Sequence, residues 1–194
     1  QSETSEPTAV DRWILGRLDQ TVSATTRRLE AFNFGEAGRG IHDFIWNDFC
    51  DWFIEASKTR LQGSNAAAAS RAARTLAEVL ATSVRLLHPF MPFITEEIWS
   101  HLRAALPDLK PEHIIVAPWP ESPDGAVDPA VDDITALTEA IRVIRNARRE
   151  AGVEPGKRIT AVIKPGQRAA VMKTEGDFLT RATRIDPLLL INQD

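Results

Sequence analysis

The chain has 194 residues, 43% apolar and 26% charged, a balance expected of a soluble globular protein that buries a real core; no apolar run reaches membrane-spanning length, so no membrane partner is expected. Cys50 is the single cysteine, which excludes an internal disulfide, and the histidines at 42, 88, 101 and 113 show no metal-ligand spacing. The net charge of −4 is divided unevenly: residues 1–133 hold 12 Lys/Arg against 20 Asp/Glu, whereas residues 134–194 hold 11 against 7, so phosphate contacts are expected in the C-terminal third.

The first ten residues carry neither a basic nor an apolar leader region, and the chain does not begin with Met. The expectation is a piece of a longer, cytoplasmic protein. Asp11 reads as the N-cap of a first helix in which Trp13, Leu15, Leu18, Val22 and Leu29 recur at spacings of mostly three and four. Ala31 to Gly35 reads as a turn. A second helix is expected from about Glu36 to Leu61, apolar over so wide a face that it packs on more than one side. After a loop at Gln62 to Asn65, Ala66 to Leu87 reads as a third helix with Leu76, Val79, Leu80, Val84 and Leu87 inward.

His88-Pro89 ends that helix, since the residue before proline avoids helical geometry. Pro92 suits the first turn of a fourth helix, with Ile94, Ile98, Leu102 and Ala105 as its expected buried stripe. The stretch from Leu106 to Ala130 holds six prolines and reads as an extended crossover anchored by Trp119. A fifth helix is expected from about Val131 to Ala151, with Ile134, Leu137, Ile141 and Ile144 inward. Ile159 to Ile163 reads as a strand, 168–173 and 177–184 as short helices, and Leu188 to Ile191 as a second strand. The fold class is mainly α: an antiparallel helical bundle over 1–106, a Pro-rich crossover over 107–130, and a basic helix with a small α+β subdomain over 131–194.

Little in the chain resembles catalytic machinery. Glu154-Pro155-Gly156-Lys157 lacks the upstream glycine of a phosphate loop. Cys50 has no visible activating partner, and the adjacent Glu96 and Glu97 point in different directions on a helix, where they suit its dipole. No catalytic residue and no metal ligand is assigned. Two clusters invite a binding reading. Arg142, Arg145 and Arg149 lie at i, i+3, i+7 on one face of the fifth helix, either as a solvated face or as a stripe against phosphates. Arg12, Trp13, Arg17, Phe32, Asn33, Phe34 and Arg39 combine arginines with aromatics about the first turn. Either Trp13 and Phe34 are core and the arginines merely exposed, or the group stacks on splayed bases of a single-stranded RNA loop.

Five stretches carry a resemblance. The segment His88-Pro89-Phe90-Met91-Pro92-Phe93-Ile94-Thr95 resembles a signature of the class I aminoacyl-tRNA synthetases for branched aliphatic amino acids, in its valine-type version. Asp11-Arg12-Trp13-Ile14-Leu15, Phe44 to Phe53 and Ala117-Pro118-Trp119-Pro120 are similar to the start, second helix and crossover of that family's anticodon-binding bundle. Ile141 to Asn146 with Pro155-Gly156-Lys157 resembles the segment beyond. The likeness runs from about Asp11 to about Lys164. It implies a parent enzyme that joins valine to its tRNA using ATP and magnesium, through a valyl-adenylate. The family's His-Ile-Gly-His and Lys-Met-Ser-Lys-Ser motifs are missing here, so this chain is expected to need no cofactor of its own and to partner with tRNA and with the parent's catalytic domain. By resemblance, Arg17 and Phe34, then Arg12, Asn33 and Arg39, are the expected anticodon-reading residues, with Arg142, Arg145 and Arg149 on phosphates. A free-standing helical module that docks other proteins is the competing expectation.

Overall fold

The computed structural model describes residues 6–122, 128–154 and 156–191, and at 167 and 177 the backbone alone. Pro123 and Pro155, assigned above to the crossover and to the phosphate-loop comparison, lie outside the described residues. The chain forms two compact units, 1–128 and 129–194.

The first unit is an up-and-down bundle. Helix α1 (Ala9–Glu30) opens on a capping box: Asp11 N–H donates to Thr8 Oγ1 at 3.2 Å and Thr8 N–H donates to Asp11 Oδ2 at 3.0 Å. Thr8 is therefore the N-cap, and Asp11, expected there, stands three residues on, where its carboxylate closes the box. A second helical rod runs as α2 (Phe34–Asp43), a π-helical stretch (Phe44–Ile54) and α3 (Glu55–Leu61). Widening the turn to i→i+5 bonding brings Phe44, Phe49 and Phe53 inward at spacings of five and four, which explains the unusually broad apolar face. Helix α4 (Ala66–Leu87) and helix α5 (Pro92–Ala105, with Pro92 in its first turn) complete the bundle.

The expected stripe of α5 is corrected at its two ends. Ile98 and Leu102 pack partly buried against the core as expected, but Ile94 is exposed and Ala105 faces solvent, while Thr95 and Trp99 are buried. Trp99 packs with Ala81, Val84 and Ile114, and its indole N–H donates to the Pro111 carbonyl at 3.1 Å, so α5 turns its face toward the crossover. Thr95 Oγ1 lies 2.8 Å from the Met91 carbonyl and 2.7 Å from His88 Nδ1, in hydrogen-bond contact with both. The sequence signature 88–95 is thus a staple between the end of α4 and the start of α5. Among the described residues from 107 to 122 the crossover has no regular structure apart from a short 3-10 turn (Ile114–Val116), α6 already taking up Pro129 and Ala130, and Trp119 anchors it by donating to Thr26 Oγ1 at 2.8 Å.

In the second unit, α6 (Pro129–Glu150) buries Ile134, Leu137 and Ile141. Strand β1 (Ile159–Ile163) pairs in parallel with β2 (Ile185–Leu190). Parallel pairing requires a crossover, supplied by α7 (Ala169–Thr174) and α8 (Gly176–Thr183). The register shifts between Ile159 and Ala161, opposite Asp186 and Pro187, where proline has no N–H to give the ladder. Met172, Phe178, Leu179 and Ile185 complete the buried set.

Candidate nucleic-acid interface

The turn joining α1 to α2 closes with a pair of bonds typical of a helix C-terminus: Asn33 N–H donates to the Arg28 carbonyl at 2.8 Å and Phe32 N–H to the Leu29 carbonyl at 3.0 Å. The position between them requires left-handed backbone and is ordinarily glycine. Here it is Phe32, at φ 58°. Its ring is 79% exposed and meets Phe34, 55% exposed, edge-on at 6.1 Å. Asn33 stands at the N-cap of α2, yet its side chain makes no capping bond.

Along the next turns, Arg39, His42 and Trp46 follow at i, i+3 and i+7. Arg39 and Glu36 form an exposed pair at 3.4 Å. His42 and Trp46 stack with ring centroids 6.4 Å apart and planes 7° from parallel, and Trp46 is 61% exposed. Arg28 lies across this surface, donating to the Glu36 carbonyl at 3.2 Å. A Cβ at Gly40 would come within 2.5 Å of the Arg28 Nη1, so glycine permits the close approach. Sequence reasoning missed Arg28, His42 and Trp46; the i, i+3, i+7 spacing of 39, 42 and 46 was the available signal.

The N-terminal cluster read from the sequence does not come together. Trp13 is core. Arg17 lies 13 residues before the end of α1, roughly 20 Å away along the axis, where its guanidinium is held by Asp48 at 2.9 Å and by Gln20 at 2.9 Å. Arg12, further still, donates to the Pro7 carbonyl and pairs with Asp128 at 3.2 Å. Asn33 and Phe34 stand at the turn itself, and Arg39 lies five residues beyond Phe34 along α2.

In the second unit, Arg142 pairs with Glu139, Arg149 donates to Asn146 Oδ1 at 3.2 Å, and Arg145 donates to the Ala182 carbonyl at 2.9 Å. All three are exposed. Arg148 turns inward and donates to the carbonyls of Glu154 and Lys157 at 3.2 and 2.7 Å, fastening the end of α6 to the approach to β1. Among the described residues no three His, Cys, Asp or Glu side chains gather as metal ligands, and no helix is long and apolar enough to cross a membrane.

The first unit is thus a helical bundle that exposes two aromatic rings and an asparagine at one interhelical turn. The chain belongs to the anticodon-binding domains of tRNA ligases, whose family model matches residues 11–163. It is 42% identical over 185 residues to a valine–tRNA ligase of Thermosynechococcus vestitus, covering 94% of this chain and 20% of that one. It is 41% identical over 191 residues to one of Geobacillus stearothermophilus (96% and 21%), and 44% identical over 171 residues to one of Dehalococcoides mccartyi (87% and 19%). The chain thus spans about a fifth of the length of these curated relatives.

Proposed function

We propose that this chain docks on the anticodon stem and loop of a valine-accepting tRNA, as one part of a cytoplasmic valine–tRNA ligase. The observation that carries the reading is the exposed Phe32–Phe34 pair flanking Asn33, with Arg39 further along α2, within a chain of the anticodon-binding family. Base–aromatic stacking contributes about 1–3 kcal/mol per base, and an arginine or asparagine bidentate to a base edge adds about 1–3 kcal/mol of discrimination on the DNA scale. Phe34 is assigned to stacking, and Asn33 and Arg39 to base edges. Arg12 and Arg17, lower on α1, are assigned to the phosphates of a stem lying along that helix. Arg142, Arg145 and Arg149 are assigned to phosphates elsewhere on the same RNA.

In the parent enzyme, ATP and magnesium supply activation of valine as the adenylate. The parent's catalytic domain is this chain's partner in the same chain, and the residues named above are assigned to holding and orienting RNA. A second reading is favoured by one observation: Met91, Phe93, Ile94, Ile115 and Val116 are exposed apolar residues, Phe93 at 91%, which suits a protein-docking face.

The test is fluorescence anisotropy with a valine-anticodon stem-loop and one with the anticodon bases changed. The chain is expected to prefer the first, Phe34→Ala to lose the preference, and Arg17→Ala to weaken both loops equally. Equal binding of both loops by the unaltered chain overturns the base-reading assignment. No binding by the folded chain at low salt favours the protein-docking reading.

A further inference from the structure

The π-helical stretch Phe44–Ile54 carries five aromatic rings. Phe44, Phe49, Trp52 and Phe53 are each at most 5% exposed, whereas Trp46 is 61% exposed. Of the chain's five tryptophans it is the one that faces solvent. Burying so large a ring stabilises a fold more than leaving it in water does, so core packing does not account for its place. The ring is also not alone. His42 stacks on it with planes 7° from parallel, and the imidazole Nδ1 lies 3.3 Å from Asp43 Oδ1, an exposed contact that orients the imidazole. Two flat rings thus form a shelf on the outside of the bundle.

The shelf is continuous with the α1–α2 turn. Gly35, Arg39, His42 and Trp46 follow at i, i+4, i+7 and i+11, one face of the helical rod, and all four are exposed. A Cβ at Gly35 would meet nothing within 4 Å, so the strip is open where it leaves the turn. Eleven residues place Trp46 roughly 16 Å beyond Gly35 along the axis, a span of about five nucleotides stacked at ~3.4 Å each. Glu36 stands beside Arg39 and Asp43 beside His42, so the strip is no phosphate site. Its polar neighbours Arg39, Asp43 and Asn47 also break the continuous apolar area that a protein contact uses. A flat, solvent-facing ring pair among polar groups matches the π-face of a base.

We infer that Trp46, backed by His42, is a second stacking platform that takes an unpaired nucleobase of the same RNA, outside the bases read at the α1–α2 turn. Stacking of this kind accepts any base. The inference rests on the tRNA-binding reading and adds a site to it.

The experiment follows tryptophan fluorescence and RNA anisotropy of the full 194-residue chain across a salt titration. The probes are the valine-anticodon stem-loop, the anticodon-altered stem-loop and a blunt duplex of the same stem. Both stem-loops are expected to quench the fluorescence, and the duplex to leave it unchanged. W46F is expected to lose the quench and keep most of the affinity. W46A is expected to bind both stem-loops about tenfold more weakly, with the salt slope and the anticodon preference of the unaltered chain. Unchanged affinity in the folded W46A variant overturns the platform and leaves anticodon reading intact. A tenfold loss in W46A, with no anticodon preference in the unaltered chain, keeps the platform and overturns the anticodon reading. A shallower salt slope in W46A, or equal quenching by the duplex, overturns the assignment to an unpaired base. If W46A fails to fold, a full quench persisting in W46F overturns the platform. No binding of any probe by the folded chain at low salt overturns the platform together with the tRNA reading.

Discussion

Phe32 holds a conformation that costs a side-chain-bearing residue about 1–2 kcal/mol, and it presents its ring to solvent. Glycine there relieves the strain and gives back part of the gain, about 0.5–1 kcal/mol, through the freedom of its unfolded chain. Phe32→Gly is therefore expected to leave Tm unchanged or raise it by up to about 4 °C, while weakening stem-loop binding about fivefold or more if the ring stacks on a base. Thermal melting and anisotropy on one preparation check both; a loss of stability with unchanged RNA affinity would assign the ring to packing. The turn itself was readable from Ala31 to Gly35, because aromatic and glycine residues interrupt the periodicity there. That Phe32 and Phe34 face water while Trp13 is core was not readable. All three are aromatic residues in or beside amphipathic segments, and only the partners across the bundle distinguish them.

At the scale of elements, the buried join between α1 and α3 is ionic. Asp11 is fully buried, and Arg60, on α3, donates to its Oδ2 at 2.6 Å. Burial pushes the Asp11 carboxyl up, but the hydrogen bonds from Arg60 and Thr8 outweigh it and hold the group below its ordinary 3.8. The folded state thus favours the carboxylate. Its contribution is complete above the unfolded value and is lost as pH falls below 3.8 through the lower folded value. Arg60→Met leaves that charge buried and unpaired and is expected to cost about 3 kcal/mol, a fall in Tm of about 6–12 °C at neutral pH. Asp11→Asn/Arg60→Met is expected to recover much of the loss and to show a flatter acid limb in a melting series; an acid limb as steep as that of the unaltered chain would remove Asp11 from the account. Asp11 was read as the cap because it precedes the periodic run. The structure moved the cap to Thr8, since a long-range partner fixed the carboxylate at the third helical position. The π-helical stretch and the rotated face of α5 were hidden for a similar reason: Phe44 to Ile54 is apolar at eight of eleven positions, so several periods fit it, and the crossover residues 111 and 114 decided which side of α5 is covered.

For the molecule as a whole, the formal charge is −4, and general attraction to RNA is weak at this balance. Affinity must come from the local groups at the α1–α2 turn and the C-terminal arginines. With the phosphates assigned to Arg12, Arg17, Arg142, Arg145 and Arg149 neutralised, the salt slope is expected to be about −4, so raising salt from about 50 to 200 mM should weaken full-length tRNA binding roughly 250-fold. A slope near zero in the titration would show that stacking alone holds the RNA. By itself, the sequence determined the number and order of the bundle's helical segments, the proline-rich crossover, the strand–helix–strand end and the resemblance to a tRNA-ligase domain. These follow from periodicity, turn chemistry and local motifs, which neighbouring residues dictate. Tertiary structure alone decided that Arg17 is engaged by Asp48 far from the turn and that His88 and Thr95 staple two helices. Those residues are up to 31 positions apart in the chain, and only packing and pairing of distant segments bring such side chains together.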